Sequence, residues 1–262
     1  MSQGATISES TELACDIRGY VQRWGGAFMT APEMAEVEQE AGLGSKALYL
    51  RGRSAVLGDP APAVVADVFG IFPGWLFDLL LPAAVQAISA PDAVEAYREA
   101  LGRWARARLG AVEEPGRLAA LLRRLVDCAD PSGLALFSGW RSAAWPSGEP
   151  ERVAHGLMML REYRGGLHFA ALRSVGLSIS EAVVADPEGG RGRLLRTAWQ
   201  PEAADELIAR ASAVPDLHER WRRAEGLTDE RMGELLAAAL DGAEQVELRQ
   251  RLRVLDEVAG RA

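Results

Sequence analysis

Three histidines are all the sequence offers for proton transfer near neutral pH, and two of them, His155 and His168, lie in one stretch. That stretch reads His155-Gly-Leu-Met-Met-Leu-Arg161-Glu162-Tyr163-Arg164-Gly-Gly-Leu-His168, the densest polar cluster in an otherwise apolar segment. On a helix, at 100° per residue, His155 and Glu162 fall on nearly one face. Arg161 and His168 share another, and Arg164 stands four before His168. An imidazole oriented by a carboxylate can move protons. Guanidinium groups can hold a carboxylate or a phosphate. The expected catalytic residues are therefore His155, with Glu162 as its orienting partner, and His168. Arg161, Tyr163 and Arg164 are expected to hold a ligand, together with Arg53 and Phe69 from elsewhere in the chain. The same residues equally suit a buried polar network in which Arg161 and Glu162 tie helices together. Arg51 and Arg53 either reach this pocket or cap a helix C-terminus.

Other chemistries find little support. His155 and His168 are not four apart and have no third histidine or cysteine nearby, so no metal site is expected. Cys15 and Cys128 are the only cysteines, too few for a zinc site or a disulfide framework. Gly189-Gly190-Arg191-Gly192 follows no strand and is no dinucleotide fingerprint. There is no G-x-S-x-G elbow. No cofactor is expected. His218, between charged neighbours, reads as a residue on a solvated face, and the arginine-rich runs read as charged helix faces without the aromatics of single-strand binders.

The elements that must position the cluster are helices. Leu13, Ile17, Tyr20, Val21 and Trp24 recur at helical spacing. Thr30 and Glu33 form a capping-box pair ahead of a helix stopping near Gly42. Ser45 is a candidate cap for a helix to about Leu57, and Asp59-Pro60 for one to about Ile71. Pro73 and Pro82 divide the next apolar stretch into two short helices. Long helices follow over 90–109, 117–128 and 151–175, and Ser178 with Glu181 forms a second capping box. Residues 187–192, rich in glycine and charge, mark a mobile loop or a boundary. Beyond it, helices start at Pro201, at Pro215-Asp216 and at Thr228-Asp229.

No alternating run is long enough for a strand, so the expected fold is all-α: a multi-helix bundle. Its 262 residues fit one large domain or two small ones, at ~100–200 residues each. The division expected is a larger helical domain with the pocket over 1–186 and a smaller helical subdomain over 193–262. Aromatic residues are 6% of the chain, so alanine, leucine and valine must do most of the packing, which helices tolerate well. Net charge is −8. An acidic average disfavours duplex binding, which requires phosphates to be neutralised. The early Glu9, Glu12 and Asp16 do not fit a signal peptide, and no uncharged run of ~20 apolar residues would make a membrane span. A cytoplasmic location is expected. Lys46 is the only lysine, the bias of a high-GC genome.

Several segments resemble an actinobacterial family of two-domain helical proteins that carries a helix-turn-helix label. They are Ala31-Pro32-Glu33, Arg53-Ser-Ala-Val-Leu57-Gly58, and Val65-Ala-Asp-Val-Phe69-Gly-Ile-Phe72-Pro73. The most specific is Trp145-Pro, then His155, Leu160-Arg161-Glu162, Arg164-Gly165 and His168. The resemblance runs from about Ala31 to Val183. Where the family carries further polar groups, this chain has Gly25, Tyr163 and Gly166. Its C-terminal half lacks the Gly-Leu turn and hairpin of a winged helix.

The first functional reading is a small-molecule-binding protein, with a cofactor-independent enzyme of actinobacterial secondary metabolism as its active form. Such an enzyme would be a lyase, cyclase or hydrolase running on acid–base groups. The alternatives are a helix-turn-helix-like transcriptional regulator, which the family label favours, and a haem- or metal-binding sensor. The partners expected are a small-molecule ligand or substrate and a second copy of the chain in a homodimer, with no membrane.

Overall fold

Apolar residues recurring every three or four positions give most of the helices one stripe to bury, and the chain buries them against one another. The computed structural model describes residues 6–260, and its regular elements are all helical. The first half comprises α1 (Ile7–Trp24), α2 (Pro32–Glu40), α3 (Ala47–Ser54), α4 (Pro62–Phe69), α5 (Gly74–Ala87), α6 (Ala90–Leu109), α7 (Pro115–Cys128) and α8 (Ala135–Ser142). The second half comprises α9 (Glu149–Ser174), α10 (Ile179–Ala185), α11 (Gly190–Arg196), α12 (Pro201–Ser212), α13 (Leu217–Ala239) and α14 (Gly242–Ala259). The architecture is a multi-helix bundle, with no strand among the described residues. None of the described helices alone is long and apolar enough to cross a membrane.

The longest helix, α9, runs through the middle and packs on α1, α6, α7, α8 and α13. Its residues Val153 to Leu160 are buried without interruption, which is why no amphipathic stripe marks that half. Gly156 lets α7 approach: a Cβ there would stand 2.8 Å from Leu122 Cβ. The C-terminal helices α13 and α14 return to this same core, adding Met232, Leu236, Leu248 and Leu252 to the cluster built by α1, α6, α7 and α9. Between α9 and α13, the short helices α10, α11 and α12 pack on one another over smaller apolar clusters. The expected division at 186–193 spans the turn joining α10 to α11 and the first residues of α11. The ends of the two expected domains, 1–5 and 261–262, lie outside the described residues.

Several helix boundaries differ from expectation, two of them because a more distant partner takes over. Ala31, not Thr30, precedes α2, and Pro32 starts it, while Thr30 ends a short 3-10 turn. Ser45 does not cap α3. The buried carboxylate of Glu38 on α2 accepts from Lys46 N and Leu48 N, both at 2.9 Å, and so takes the donors a cap would have served. Asp59 is drawn into an ion pair with Arg51 at 2.7 Å, and α4 starts later, at Pro62. Pro82 lies inside α5 rather than between two helices. It is exposed, as is Asp78 one turn earlier, so water can satisfy the carbonyl that loses its partner. Thr228 and Asp229 start no helix; both are buried inside α13. The last helix begins instead at a capping box formed by Asp241 and Glu244. The glycine-rich stretch holds the first turn of α11.

Candidate ligand-binding site

The second half of α9 forms one wall of a cavity of about 840 Å³. Opposite it stand Tyr49 and Arg53 of α3, Phe69 of α4 and Phe72 of the following turn, while Val183 of α10 and Arg193 of α11 close a further side. Arg53, Phe69, Arg161, Glu162, Tyr163, Arg164 and His168 all line it, so seven of the eight expected site residues converge. The eighth does not. His155 borders a different cavity, of about 800 Å³, on the far side of α9, with Trp145 and Glu151.

The expected partnership of His155 with Glu162 is absent, because Arg53 occupies the carboxylate. Arg53 Nε and Nη2 donate to the two oxygens of Glu162 at 2.9 and 2.8 Å, a bidentate pair in the buried wall. The guanidinium also lies 4.3 Å from the centre of the Phe69 ring and donates from Nη1 to Tyr49 Oη at 3.2 Å. Burial opposes ionisation of Glu162, but the charge and hydrogen bonds of Arg53, with Arg161 behind it, outweigh burial and hold its pKa below the ordinary carboxylate value. Arg53 thus reaches the pocket. Arg51 does not: it donates to the carbonyls of Gly58 and Ile88, both at 3.2 Å, and fixes the turn beyond α3.

His155 is caged. Its ring packs edge-on against Trp145, at 4.9 Å between centroids, and its Nε2 is buried without a hydrogen-bond partner. Burial, reinforced by Arg98 and Arg123, pushes its pKa down to about 4, so the ring is neutral at physiological pH. His168 is furnished in the opposite way. Its Nδ1 lies 3.1 Å from Thr228 Oγ1, and its Nε2 lies 3.5 Å from Glu225 Oε1. Burial nonetheless sets its pKa below the ordinary histidine value, overcoming the pull of Glu225.

A second network, on the α13 side, was not anticipated. Arg164 Nη2 donates to Glu225 at 2.7 Å and to Asp229 at 3.3 Å, and Arg18 of α1 reaches Asp229 at 3.0 Å. Glu225, Thr228 and Asp229 are spaced three and four apart on a helix, which puts them on one face. That polar stripe was the available signal, masked by its likeness to a helix start. His218 is exposed, as expected, with Nδ1 3.1 Å from the Ala185 carbonyl oxygen.

At the cavity floor the two glycines after Arg164 differ. A Cβ at Gly166 would stand 2.6 Å from Leu134 Cδ2, so that position is a close helix contact. A Cβ at Gly165 would meet nothing within 4 Å. The helix continues through both without a break.

Comparison with protein families extends the likeness well beyond the α9 motifs, for residues 16–261 match a helix-turn-helix family. The chain belongs to that family. No curated protein and no solved structure matches it. In this member of the helix-turn-helix family, α11 and α12 are two helices joined by a four-residue turn. The turn at 197–200 joins them, with Ala198 at a φ of 69°. Its Trp199 donates from Nε1 to the carbonyl of Ile71 at 2.8 Å, fastening the turn to the segment that carries Phe72 into the cavity wall. The exposed face of α12 presents Glu202, Asp205 and Glu206. Arg191 is engaged by Asp205 at 2.6 Å and Arg193 by Asp186 at 2.8 Å.

Proposed function

We propose that this helix-turn-helix family protein is a cytoplasmic small-molecule-binding protein whose ligand occupies the cavity beside α9. One observation carries the reading: an aromatic wall and several arginines meet around a single volume of about 840 Å³. Small-ligand sites are mostly apolar clefts of about 300–1,000 Å³ with a few fixed polar groups. Binding fits these side chains better than acid–base turnover. Glu162 is ionised and shares its proton-accepting oxygens with Arg53. His155 stands at another cavity. His168 is the one group at the wall suited to proton transfer, and it supports the enzyme reading alone.

The test is ligand-dependent thermal stabilisation of the purified protein with a metabolite panel. A ligand at a hundredfold excess over its Kd adds about 2.7 kcal/mol. Gly165→Phe, placing a ring where the cavity is open, is expected to abolish that gain.

The second reading, a DNA-binding regulator, is favoured by family membership. Recognition helices meet base edges with their N-terminal residues. Carboxylates at that end of α12 repel phosphates, and two of the nearby arginines already serve carboxylates of this chain. Stabilisation by a DNA duplex but by no small molecule, weakening steeply with salt, overturns the first reading in favour of this one.

A further inference from the structure

We infer that the ligand is an organic monoanion, a carboxylate on an aromatic or apolar body, with Arg161 as the residue that receives its charge. The inference rests on the cavity being the ligand site.

The buried and half-buried charges around the cavity wall balance in pairs, with one remainder. Arg53 and Glu162 neutralise each other. Arg164, with Arg18, is matched by Glu225 and Asp229. Arg193 is matched by Asp186. Arg161 has no carboxylate of its own: its contact, Nη1 to Glu162 Oε1 at 3.5 Å, is to an oxygen that already accepts from Arg53 at 2.9 Å. The remaining charges on the lining, Arg173, Asp67 and Asp130, are exposed, where water and salt screen them.

The chain also fixes this guanidinium in place. Gly25 and Gly26, at the end of α1, press on its stem. A Cβ on Gly25 would stand 2.9 Å from Arg161 Cβ, and one on Gly26 would stand 2.9 Å from Arg161 Nε. That Nε is buried with no hydrogen-bond partner, while a quarter of the side chain (26%) remains exposed and the residue lines the cavity. A charged group so confined, short of partners and opening on an aromatic wall, suits an incoming planar acceptor. Its single excess charge beside the Glu162 carboxylate favours a monoanion over a phosphate dianion. Tyr49, Phe69, Phe72, Tyr163 and Trp221 supply apolar surface for the body of the molecule.

The experiment uses the full chain and measures binding, by calorimetry and by tryptophan fluorescence, of phenylacetate, 2-naphthoate and indole-3-acetate. Each is compared with its primary amide, and phenyl phosphate is the dianion control. The expected result is that at least one acid binds about tenfold or more tighter than its amide, the scale of a lost charge-assisted hydrogen bond. Phenyl phosphate is expected to bind more weakly than the acids. Arg161→Gln is expected to bring the acid down to the amide's affinity while leaving the amide unchanged. Where that variant does not fold, Arg161→Lys decides, with a severalfold loss for the acid alone. Acids and amides binding alike, a preference for the phosphate, or a preference that survives substitution of Arg161 overturns the inference and leaves the cavity reading standing. No binding by any member of the panel overturns both.

Discussion

The two halves of α9 each carry one histidine, and the two histidines end in opposite conditions. From Val153 to Leu160 every residue is buried, and the one ionisable group, His155, is neutral with an unpartnered nitrogen. From Arg161 to His168 it borders open volume, and other helices bring Arg53 to Glu162, Glu225 and Asp229 to Arg164, and Thr228 to His168. A histidine on an apolar helix is therefore no guide to a site. What separates the two halves is whether neighbouring helices bring polar partners to them.

The sharpest way to break this comparison is at Glu162. Glu162→Gln leaves Arg53 buried without its counter-charge, at an expected cost of about 3–5 kcal/mol in chemical denaturation. Replacing both partners, as Arg53→Met with Glu162→Leu, should recover most of that loss. A double mutant as unstable as the single one would show that the pair is not the cause.

Acid sharpens the contrast. The folded-state pKa of His155, about 4, lies below its ordinary 6.5. Above about 6.5 neither folded nor unfolded chain holds the proton, so its contribution is flat. As pH falls toward 4 the unfolded chain takes up a proton that the folded chain refuses, and stability drops by on the order of 3 kcal/mol. Glu162 acts later: its contribution is intact above its unfolded value and is lost only as pH falls through its depressed folded value. His155→Phe should flatten the upper part of the profile and leave the lower part, as read by thermal melts across pH. The smallest effect is expected at the open glycine. Gly165→Ala should stabilise the protein by about 1 kcal/mol, since α9 gains helix propensity without a clash.

Much of the fold was legible because helical periodicity and proline–glycine punctuation are local. The stripe on α1, the reach of α9 and the box at Ser178 and Glu181 all stand as read. Two of the errors lie where a distant residue competes with a local one. Glu38 displaced Ser45, and Arg51 diverted Asp59. The site followed the same rule. Its α9 residues were visible as polar groups in an apolar run, and Arg53 and Phe69 were also anticipated. The Arg53–Glu162 pair spans 109 positions, and spacing along one helix points instead to His155 as the partner. The α13 stripe went unread because threonine followed by aspartate is also how helices begin.

The bond from Trp199 to the Ile71 carbonyl makes the turn between α11 and α12 a neighbour of the cavity wall. Any molecule in the cavity that favours one setting of that turn must raise the affinity of whatever α11 and α12 bind in the same setting. Linkage then requires the reverse effect by the same factor. An occupant of the outer face of those two helices that favoured the same setting would report, in its own dissociation constant, on what the cavity holds.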